Sequence, residues 1–116
     1  MKKLIFLIMV AATMQISSSI YAQTSKKTET IKVYGNCEMC KTTIEGSLKK
    51  KDGIISKKWD QETKMLSVTY DSVKITIQQI GEKIAGVGYD NEHKTATDEK
   101  YKNLHKCCQY DRPKKG

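Results

Sequence analysis

Two segments of the chain, residues 30–34 and 65–70, alternate apolar and polar side chains, as half-buried β-strands do. Residues 54–59, which follow the break at Asp52-Gly53, are predicted to form a further strand before the segment 65–70. Successive side chains of a strand point to opposite faces, so a period of two places the apolar residues on one face. Residues 61–64 connect the last two segments, and so short a polar connection predicts a β-hairpin.

Two other segments carry apolar residues at helical spacing. Between about residues 41 and 50, Ile44 and Leu48 lie four positions apart among polar residues, with basic residues in the last turn. The second helix has a clearer start, because Thr76 is a predicted N-cap and Gln79 three residues later completes a capping box. We therefore expect two amphipathic helices, the second ending at one of the glycines that follow its apolar stripe.

The remaining segments complete one order of elements. Residues 89–95 are a weak, polar candidate for a fourth strand at the sheet edge. The order strand, helix, strand, strand, helix, strand predicts an α+β, ferredoxin-like domain over residues 30–97. Its four-stranded antiparallel sheet would carry two helices on one face. Residues 23–29 are predicted to be a disordered lead-in, and residues 98–116 a basic tail.

The N-terminus has the pattern of an export signal rather than of a membrane anchor. A basic start is followed by the apolar run 4–12, a serine-rich stretch and the small residue Ala22. A spanning helix needs ~20 apolar residues, and Thr13, Gln15 and the serines interrupt the run. We therefore predict a signal peptide at residues 1–22, periplasmic delivery and no lasting membrane insertion after cleavage.

Composition adds the question of what the cysteines do. The chain has 116 residues, which allows one domain, a formal net charge of +8 and four cysteines. Cysteines of exported proteins usually form disulfides. Here, however, they form a Cys-x-x-Cys motif and an adjacent pair, a poor framework for cross-linking a fold. This arrangement favours metal or thiol chemistry.

The Cys-x-x-Cys motif, formed by Cys37 and Cys40, lies where a loop enters the first predicted helix. The unpaired N–H groups and positive dipole of a helix start favour anionic thiolates, the species that bind metals or attack disulfides. The spacing lets both sulfurs converge on one ion, and soft thiolates select copper(I) or zinc over magnesium or calcium. Alone the motif is a weak signal, because many proteins carry it for redox reasons.

The residues around the motif resemble the heavy-metal-associated domain family, which includes copper chaperones, N-terminal modules of metal-pumping ATPases and periplasmic mercury-binding proteins. The resemblance covers about residues 30–95 and rests on Cys37, Cys40, Ile44, Glu45, Leu48, Gly53, Ile54, residues 68–71, residues 73–76, Ile80, Ile84, Gly88 and Tyr89. It implies a ferredoxin-like fold that holds one metal ion through two cysteine sulfurs. It also implies that Tyr89 lies near the metal loop and shields the ion.

Two positions depart from the family pattern. The family usually has a methionine two residues before the first cysteine, where this chain has Gly35. Zinc-pumping relatives often have an acidic residue just before the first cysteine, where this chain has the uncharged Asn36. The resemblance therefore implies one soft metal ion, with copper(I) as the first candidate and zinc or mercury(II) as alternatives.

The predicted tail carries further metal-binding side chains, His105, Cys107 and Cys108, outside the part that resembles the family. A short helix there would put Tyr101, Leu104 and Cys108 on one face that docks on the domain and brings sulfur to the metal loop. In this interpretation the two cysteines and His105 are auxiliary ligands. The alternative is a mobile basic extension whose cysteines are incidental or pair between molecules.

Two other functions fit parts of the sequence. A thioredoxin-like thiol-disulfide oxidoreductase also has Cys-x-x-Cys before a helix, but it needs a proline facing the cysteines, and the only proline is Pro113. A basic four-stranded sheet suits RNA, but Tyr34, Trp59 and Tyr70 lack the motif that stacks bases. We therefore predict a monomeric metal carrier, not an enzyme or a nucleic-acid binder, whose partner is a metal-transporting membrane ATPase or another metal acceptor.

Overall fold

The computed structural model describes residues 25–114, so the predicted signal peptide at residues 1–22 lies outside the described residues. The elements are β1 (Lys26–Lys32), α1 (Glu38–Gly46), β2 (Ile54–Trp59), β3 (Met65–Asp71), α2 (Ile77–Gly86) and α3 (Asp98–Lys102), with 3₁₀ helices at Lys50–Asp52 and Lys106–Cys108. None of the helices within this range has the length and apolar character needed to cross a bilayer.

The sheet is antiparallel, and its strand order is β1-β3-β2. β3 lies in the centre: Lys26 of β1 pairs with Asp71, and Trp59 of β2 pairs with Leu66. The apolar residues that recur at every second position of β3 are all buried. They share one core with buried side chains of α1 and α2, so both helices cover the same face of the sheet; these residues are Leu66, Val68, Tyr70, Ile44, Ile80 and Ile84.

The first strand starts earlier than its apolar residues indicate. It begins at Lys26, so the prediction of a disordered lead-in over residues 23–29 is wrong from that residue onward. All side chains of β1 before Ile31 are exposed, and the strand is held there by pairing with β3 and by polar contacts such as the 2.8 Å hydrogen bond between the Thr28 and Thr69 hydroxyls. Such pairing leaves no apolar period in the sequence.

The predicted fourth strand at residues 89–95 is wrong, and the sheet of the described residues has three strands. This segment keeps only isolated bridges, from Asn91 to Val33 and to Lys94. The Asn91 side chain accepts hydrogen bonds from the backbone N–H groups two and three residues later, at 3.1 and 3.2 Å, and donates to the Gly81 carbonyl at 2.9 Å. These bonds fold the segment into a tight turn instead of a ladder.

The two main helices differ in how well their ends were predicted. The capping box of α2 is confirmed: Gln79 N donates to Thr76 Oγ1 at 3.1 Å, and Thr76 N donates to Gln79 Oε1 at 2.9 Å. Helix α1 instead begins just after Cys37, ends at Gly46 and has no basic residue in its last turn. The lysines that were assigned to that turn lie in the loop and the 3₁₀ helix that follow.

Residues 98–112, which we call the C-terminal segment, pack on the domain that was predicted to end at residue 97. Tyr110 is 2% exposed and belongs to the core, with Leu104 partly buried against it. The contact is close at Gly88, whose φ of 106° suits glycine and where a Cβ would lie 2.9 Å from the Leu104 side chain. The segment is therefore part of the domain and not a mobile extension.

Candidate metal centre

Cys37 and Cys40 are positioned by the start of α1. Cys37 is the N-cap residue, with extended backbone, and Cys40 lies in the first turn. Their sulfurs are 3.5 Å apart, and both residues are free thiols. Cys37 is half-buried and Cys40 is fully buried. One thiol of the pair therefore faces the surface, and the other faces the core.

Trp59 supports the loop that carries the two cysteines. Its indole is fully buried, and Nε1 donates a 3.0 Å hydrogen bond to the Val33 carbonyl. A Cβ at Gly35 would lie 3.0 Å from the indole ring and 3.2 Å from Cβ of Cys40. The indole thus lies against the position where the family pattern has a methionine. The sequence signal that would have found this pairing is a glycine before the motif in a chain with one tryptophan.

Asn36 orients the buried thiol. The Cys40 thiol donates to Asn36 Oδ1 at 3.1 Å, and the Asn36 backbone N–H points at the Cys40 sulfur at 3.4 Å. Gln61 fixes the backbone of Asn36 by donating to its carbonyl at 3.1 Å. The uncharged residue before the motif therefore acts as a hydrogen-bonding partner of sulfur and adds no carboxylate to the site.

The C-terminal segment brings a third sulfur to the pair. The 3₁₀ helix Lys106–Cys108 places the Cys108 sulfur 3.7 Å from the Cys37 sulfur. The sulfurs of Cys37, Cys40 and Cys108 all lie within 4.8 Å of one another. Cys108 is 2% exposed. The structure therefore joins one of the auxiliary residues that the sequence pointed to with both cysteines of the motif.

The other two auxiliary candidates lie at the edge of this group. Cys107 is exposed, with its sulfur 3.8 Å from that of Cys108 and 3.4 Å from Sδ of Met39. Its carbonyl accepts a 3.4 Å hydrogen bond from the Cys37 thiol. His105 is exposed, is not part of the sulfur group, and contributes its backbone carbonyl as the acceptor for the Cys108 N–H at 2.8 Å.

The local environment gives Cys37 and Cys108 very different pKa values. Partial burial opposes ionisation of Cys37, but the Cys40 N–H and hydrogen bonds with the thiols of Cys40 and Cys108 outweigh it, and its pKa falls to about 7. Burial, reinforced by the neighbouring cysteines, raises the pKa of Cys108 to about 12 although the Tyr89 hydroxyl opposes this. Cys37 is therefore the readily ionised thiol, and Cys108 stays protonated at neutral pH.

Tyr89 lies beside the sulfurs of Cys40 and Cys108 and is part of the core. The side chain is fully buried, and its ring stacks on Tyr110 with centroids 5.6 Å apart. Its hydroxyl makes no hydrogen bond of regular geometry among the described residues. Burial, with Cys40 and Cys108 as its next influences, raises the pKa of this hydroxyl. The Tyr89 hydroxyl is thus a buried donor that lies beside two sulfurs and has no oxygen or nitrogen acceptor among the described residues.

A buried ion pair anchors the C-terminal segment, and sequence reasoning missed it. Arg112 binds both carboxylate oxygens of Asp90, at 2.8 and 2.9 Å, and also donates to the Ala96 carbonyl at 2.6 Å. Tyr110 adds a bridge, since its hydroxyl accepts from Asp90 N at 2.7 Å and donates to the Gly88 carbonyl at 2.9 Å. The available signal was that Arg112 is the only arginine in a lysine-rich chain.

Comparison with known proteins gives one family. A family model described as the heavy-metal-associated domain matches residues 30–90. The mercuric transport protein periplasmic component of Shewanella putrefaciens is 33% identical over 75 residues, 64% of this chain and 82% of that protein. The copper chaperone CopZ of Staphylococcus aureus is 35% identical over 55 residues, 47% of this chain and 81% of that protein. A zinc-transporting ATPase of Synechocystis is 39% identical over 64 residues, 54% of this chain and 9% of that protein.

The fold is also found among solved structures. Oxidized MerP from Ralstonia metallidurans CH34 superposes with a TM-score of 0.54 at 28% identity, covering 58% of this chain and 94% of that one. The likeness supports a small α+β fold with an antiparallel sheet. The family match ends at residue 90, before the segment that carries Cys108.

Proposed function

Because the chain belongs to the heavy-metal-associated domain family, we propose that it is a carrier that binds one soft metal ion through the thiolates of Cys37 and Cys40. The observation that carries the proposal is the 3.5 Å separation of their sulfurs at the start of α1. Sulfurs this close both reach one ion with bonds of ~2.3 Å. The donor set suits the group, since paired thiolates select soft ions over hard ones.

Copper(I) is the ion that we assign first. It is soft and is satisfied by sulfur donors alone. The residue before the motif, Asn36, adds no carboxylate oxygen and spends its amide oxygen on the Cys40 thiol. One relative is a copper chaperone and another a mercuric transport protein, so mercury(II) has support from the same chemistry. Zinc is the third candidate, because it also binds thiolates but accepts nitrogen and oxygen donors.

The two cysteines have different parts in loading the ion. Cys37 is half-buried and has a pKa of about 7, so a large share of it is thiolate at neutral pH. We infer that it meets the incoming ion first. Cys40, buried against Asn36, then displaces the donor's ligand and closes the site. Release to an acceptor reverses these steps through the accessible Cys37.

The proposed place of action rests on the N-terminal sequence and on one relative. The sequence of residues 1–22 predicts export. A relative that covers most of the chain's domain is named as a periplasmic component, which supports a periplasmic site of action. We propose that the protein acts there as a monomer, exchanges metal with a metal-transporting membrane ATPase or another acceptor, and performs no catalysis.

Metal binding in solution tests the proposal directly. The mature protein is purified and reduced without oxygen, loaded with copper(I), and measured by native mass spectrometry and competition with a coloured copper(I) chelator. We expect one copper ion per chain, lost when Cys37→Ser and Cys40→Ser are combined. Cys107→Ser is the matched control and keeps the ion. Unchanged affinity of the double variant would show that the site lies elsewhere.

The thioredoxin-like alternative predicts a different measurement. A thioredoxin-like site depends on a proline facing its cysteines, and the one proline of this chain is Pro113. RNA binding is also disfavoured, because Trp59 and Tyr70 are buried in the core and are not free to stack on bases. We expect no turnover in an insulin-reduction assay under conditions in which the protein still binds copper(I). Sustained disulfide reduction would favour the oxidoreductase instead.

A further inference from the structure

The third sulfur of the site comes from a part of the chain that lies outside the family match. The sulfurs of Cys37, Cys40 and Cys108 lie within 4.8 Å of one another, and the two separations from Cys37 are 3.5 and 3.7 Å. An ion bound by three sulfurs at ~2.3 Å in a plane holds them about 4 Å apart. The two separations from Cys37 lie just below that value and no pair is more than 4.8 Å apart, so small side-chain rotations bring all three onto one ion.

We propose that Cys108 is the third metal ligand, so that the chain binds its soft ion with three thiolates and not with the two of the motif alone. This inference rests on the proposed function and deepens it. It concerns one position: Cys107 is exposed and directed to Met39, and His105 is exposed outside the sulfur group. The ligand class is a soft ion that accepts three sulfurs, with copper(I) as the ion to be tested.

The C-terminal segment holds Cys108 in place without any metal. Arg112 and Asp90 form a two-point ion pair, and Tyr110 bridges Asp90 and Gly88 with its hydroxyl. These contacts flank Cys108, which lies two residues before Tyr110. Because the fold fixes the third sulfur beside the pair, little ordering is left for the ion to impose, and the tethered thiol acts at high effective concentration.

Tyr89 is an independent sign that negative charge is expected at this place. Its hydroxyl is buried and makes no regular hydrogen bond within the described residues, which normally costs free energy. The groups beside it are the sulfurs of Cys40 and Cys108. When both are thiolates on an ion, the hydroxyl gains a charged acceptor. Binding of an ion by these two sulfurs would therefore satisfy this buried donor.

Sulfur counting by X-ray absorption tests the proposal on the full mature chain loaded with one equivalent of copper(I), with a thiol-free reductant. We expect three sulfur neighbours in the wild type and in Cys107→Ser, and two in Cys108→Ser. Chelator competition should show at least about tenfold weaker binding for Cys108→Ser. Cys107→Ser should bind as the wild type does.

The outcomes separate this inference from the function on which it rests. Two sulfur neighbours in the wild type, or equal coordination and affinity in Cys108→Ser, would overturn the proposal that Cys108 is a ligand. If Cys37→Ser still loses binding in that case, the proposed carrier function stands. Copper(I) bound equally well without Cys37 and Cys40 would overturn the function itself. The sulfur count of the wild type does not depend on any variant. Cys108→Ala, measured together with a circular dichroism spectrum, checks that a loss of copper(I) binding in Cys108→Ser is not caused by unfolding.

Discussion

Single side chains decide how much of the site is ready before the ion arrives. Cys37 is held ready as a thiolate, Cys40 is oriented by Asn36, and Cys108 is buried as a thiol. Tyr89 supplies a donor without a regular acceptor. These groups slightly destabilise the metal-free protein, and metal binding removes that destabilisation. Substitutions at these positions should therefore change stability and metal affinity in different directions.

Tyr89→Phe tests that opposition. Removing a buried hydroxyl without a good acceptor should raise the free energy of unfolding of the metal-free protein by about 1 kcal/mol. Losing a donor to a bound thiolate should weaken copper(I) binding by about tenfold. Urea unfolding and chelator competition measure the two effects. A variant that is destabilised without metal, with unchanged affinity, would mean that the hydroxyl has only a structural role.

The acidity of the cysteines gives a pH prediction. The pKa of Cys37 is lowered from 9.0 to about 7, so its thiolate is favoured in the fold. Its contribution to stability is complete above pH 9 and is lost as the pH falls through 7. Alkylation of the metal-free protein, followed by peptide mass spectrometry, should show half-maximal reactivity of Cys37 near pH 7. Cys108, with a pKa of about 12, should stay unreactive at neutral pH.

The comparison for this titration is the urea-unfolded chain. There both cysteines lose their surroundings and should react alike near the ordinary thiol pKa of 9.0. A Cys37 that titrates the same way in the folded and unfolded chain would show that the start of α1 does not activate it.

The start of α1 depends on how closely the loop approaches the sheet. A Cβ at Gly35 would lie only 3.0 Å from the Trp59 ring and 3.2 Å from Cβ of Cys40, so these neighbours would have to shift. We predict that Gly35→Ala lowers the free energy of unfolding by about 1–3 kcal/mol through overpacking and weakens metal binding. Gly86→Ala is the matched control, because nothing lies within 4 Å of its Cβ position. Thermal unfolding of both variants that shows equal, small changes would contradict the tight contact.

The anchor of the C-terminal segment can be loosened at one residue. Arg112→Ala leaves Asp90, which is 2% exposed, without its charged partner. We expect a loss of roughly 3 kcal/mol in the free energy of unfolding, with weaker copper(I) binding because Cys108 is no longer held. Arg112→Lys should recover only part, since lysine lacks the two-point fork. Urea unfolding should leave the exposed-site control Lys114→Ala unchanged.

Local patterns predicted those elements whose signals are themselves local. Strand β3 follows from the period of two, and the α2 start follows from the Thr76 capping box, which the structure confirms. The beginning of β1 was missed because its pairing with β3 is polar and exposed. The fourth strand was wrong because Asn91 uses side-chain bonds to form a turn. Strand pairing with a distant segment decided the first case, and local side-chain hydrogen bonds that leave no hydrophobic period decided the second.

The sulfur group shows the same limit at the scale of the molecule. The Cys-x-x-Cys motif is a sequence feature, and the chain itself places Cys37 and Cys40 at a helix start. Cys108 reaches them across 71 positions, and only tertiary contacts fix which cysteine of the adjacent pair arrives. Those contacts are the pairing of Arg112 with Asp90 and the burial of Tyr110. No spacing rule contains this information.

Those contacts also make the C-terminal segment part of what keeps a small domain folded. Tyr110 and Cys108 are core residues, and Tyr101 and Leu104 are packed against the core. Losing one large buried aromatic side chain costs ~3–5 kcal/mol, and small domains have only about 5–15 kcal/mol in total. The segment thus contributes to folding as well as to the site.

A chain that stops after Thr97 should therefore be only marginally stable, and this loss of stability should be seen in the metal-free protein. It loses Tyr110, which stacks on Tyr89, and leaves the Asp90 carboxylate without Arg112. We expect its urea midpoint to fall far below that of the full mature chain, by an amount equivalent to at least ~3 kcal/mol. A chain that stops after Lys114 is the control and should unfold as the full chain does. If the chain ending at Thr97 kept the full midpoint while losing only metal affinity, the segment would act at the site alone, and the shared core would be the wrong description.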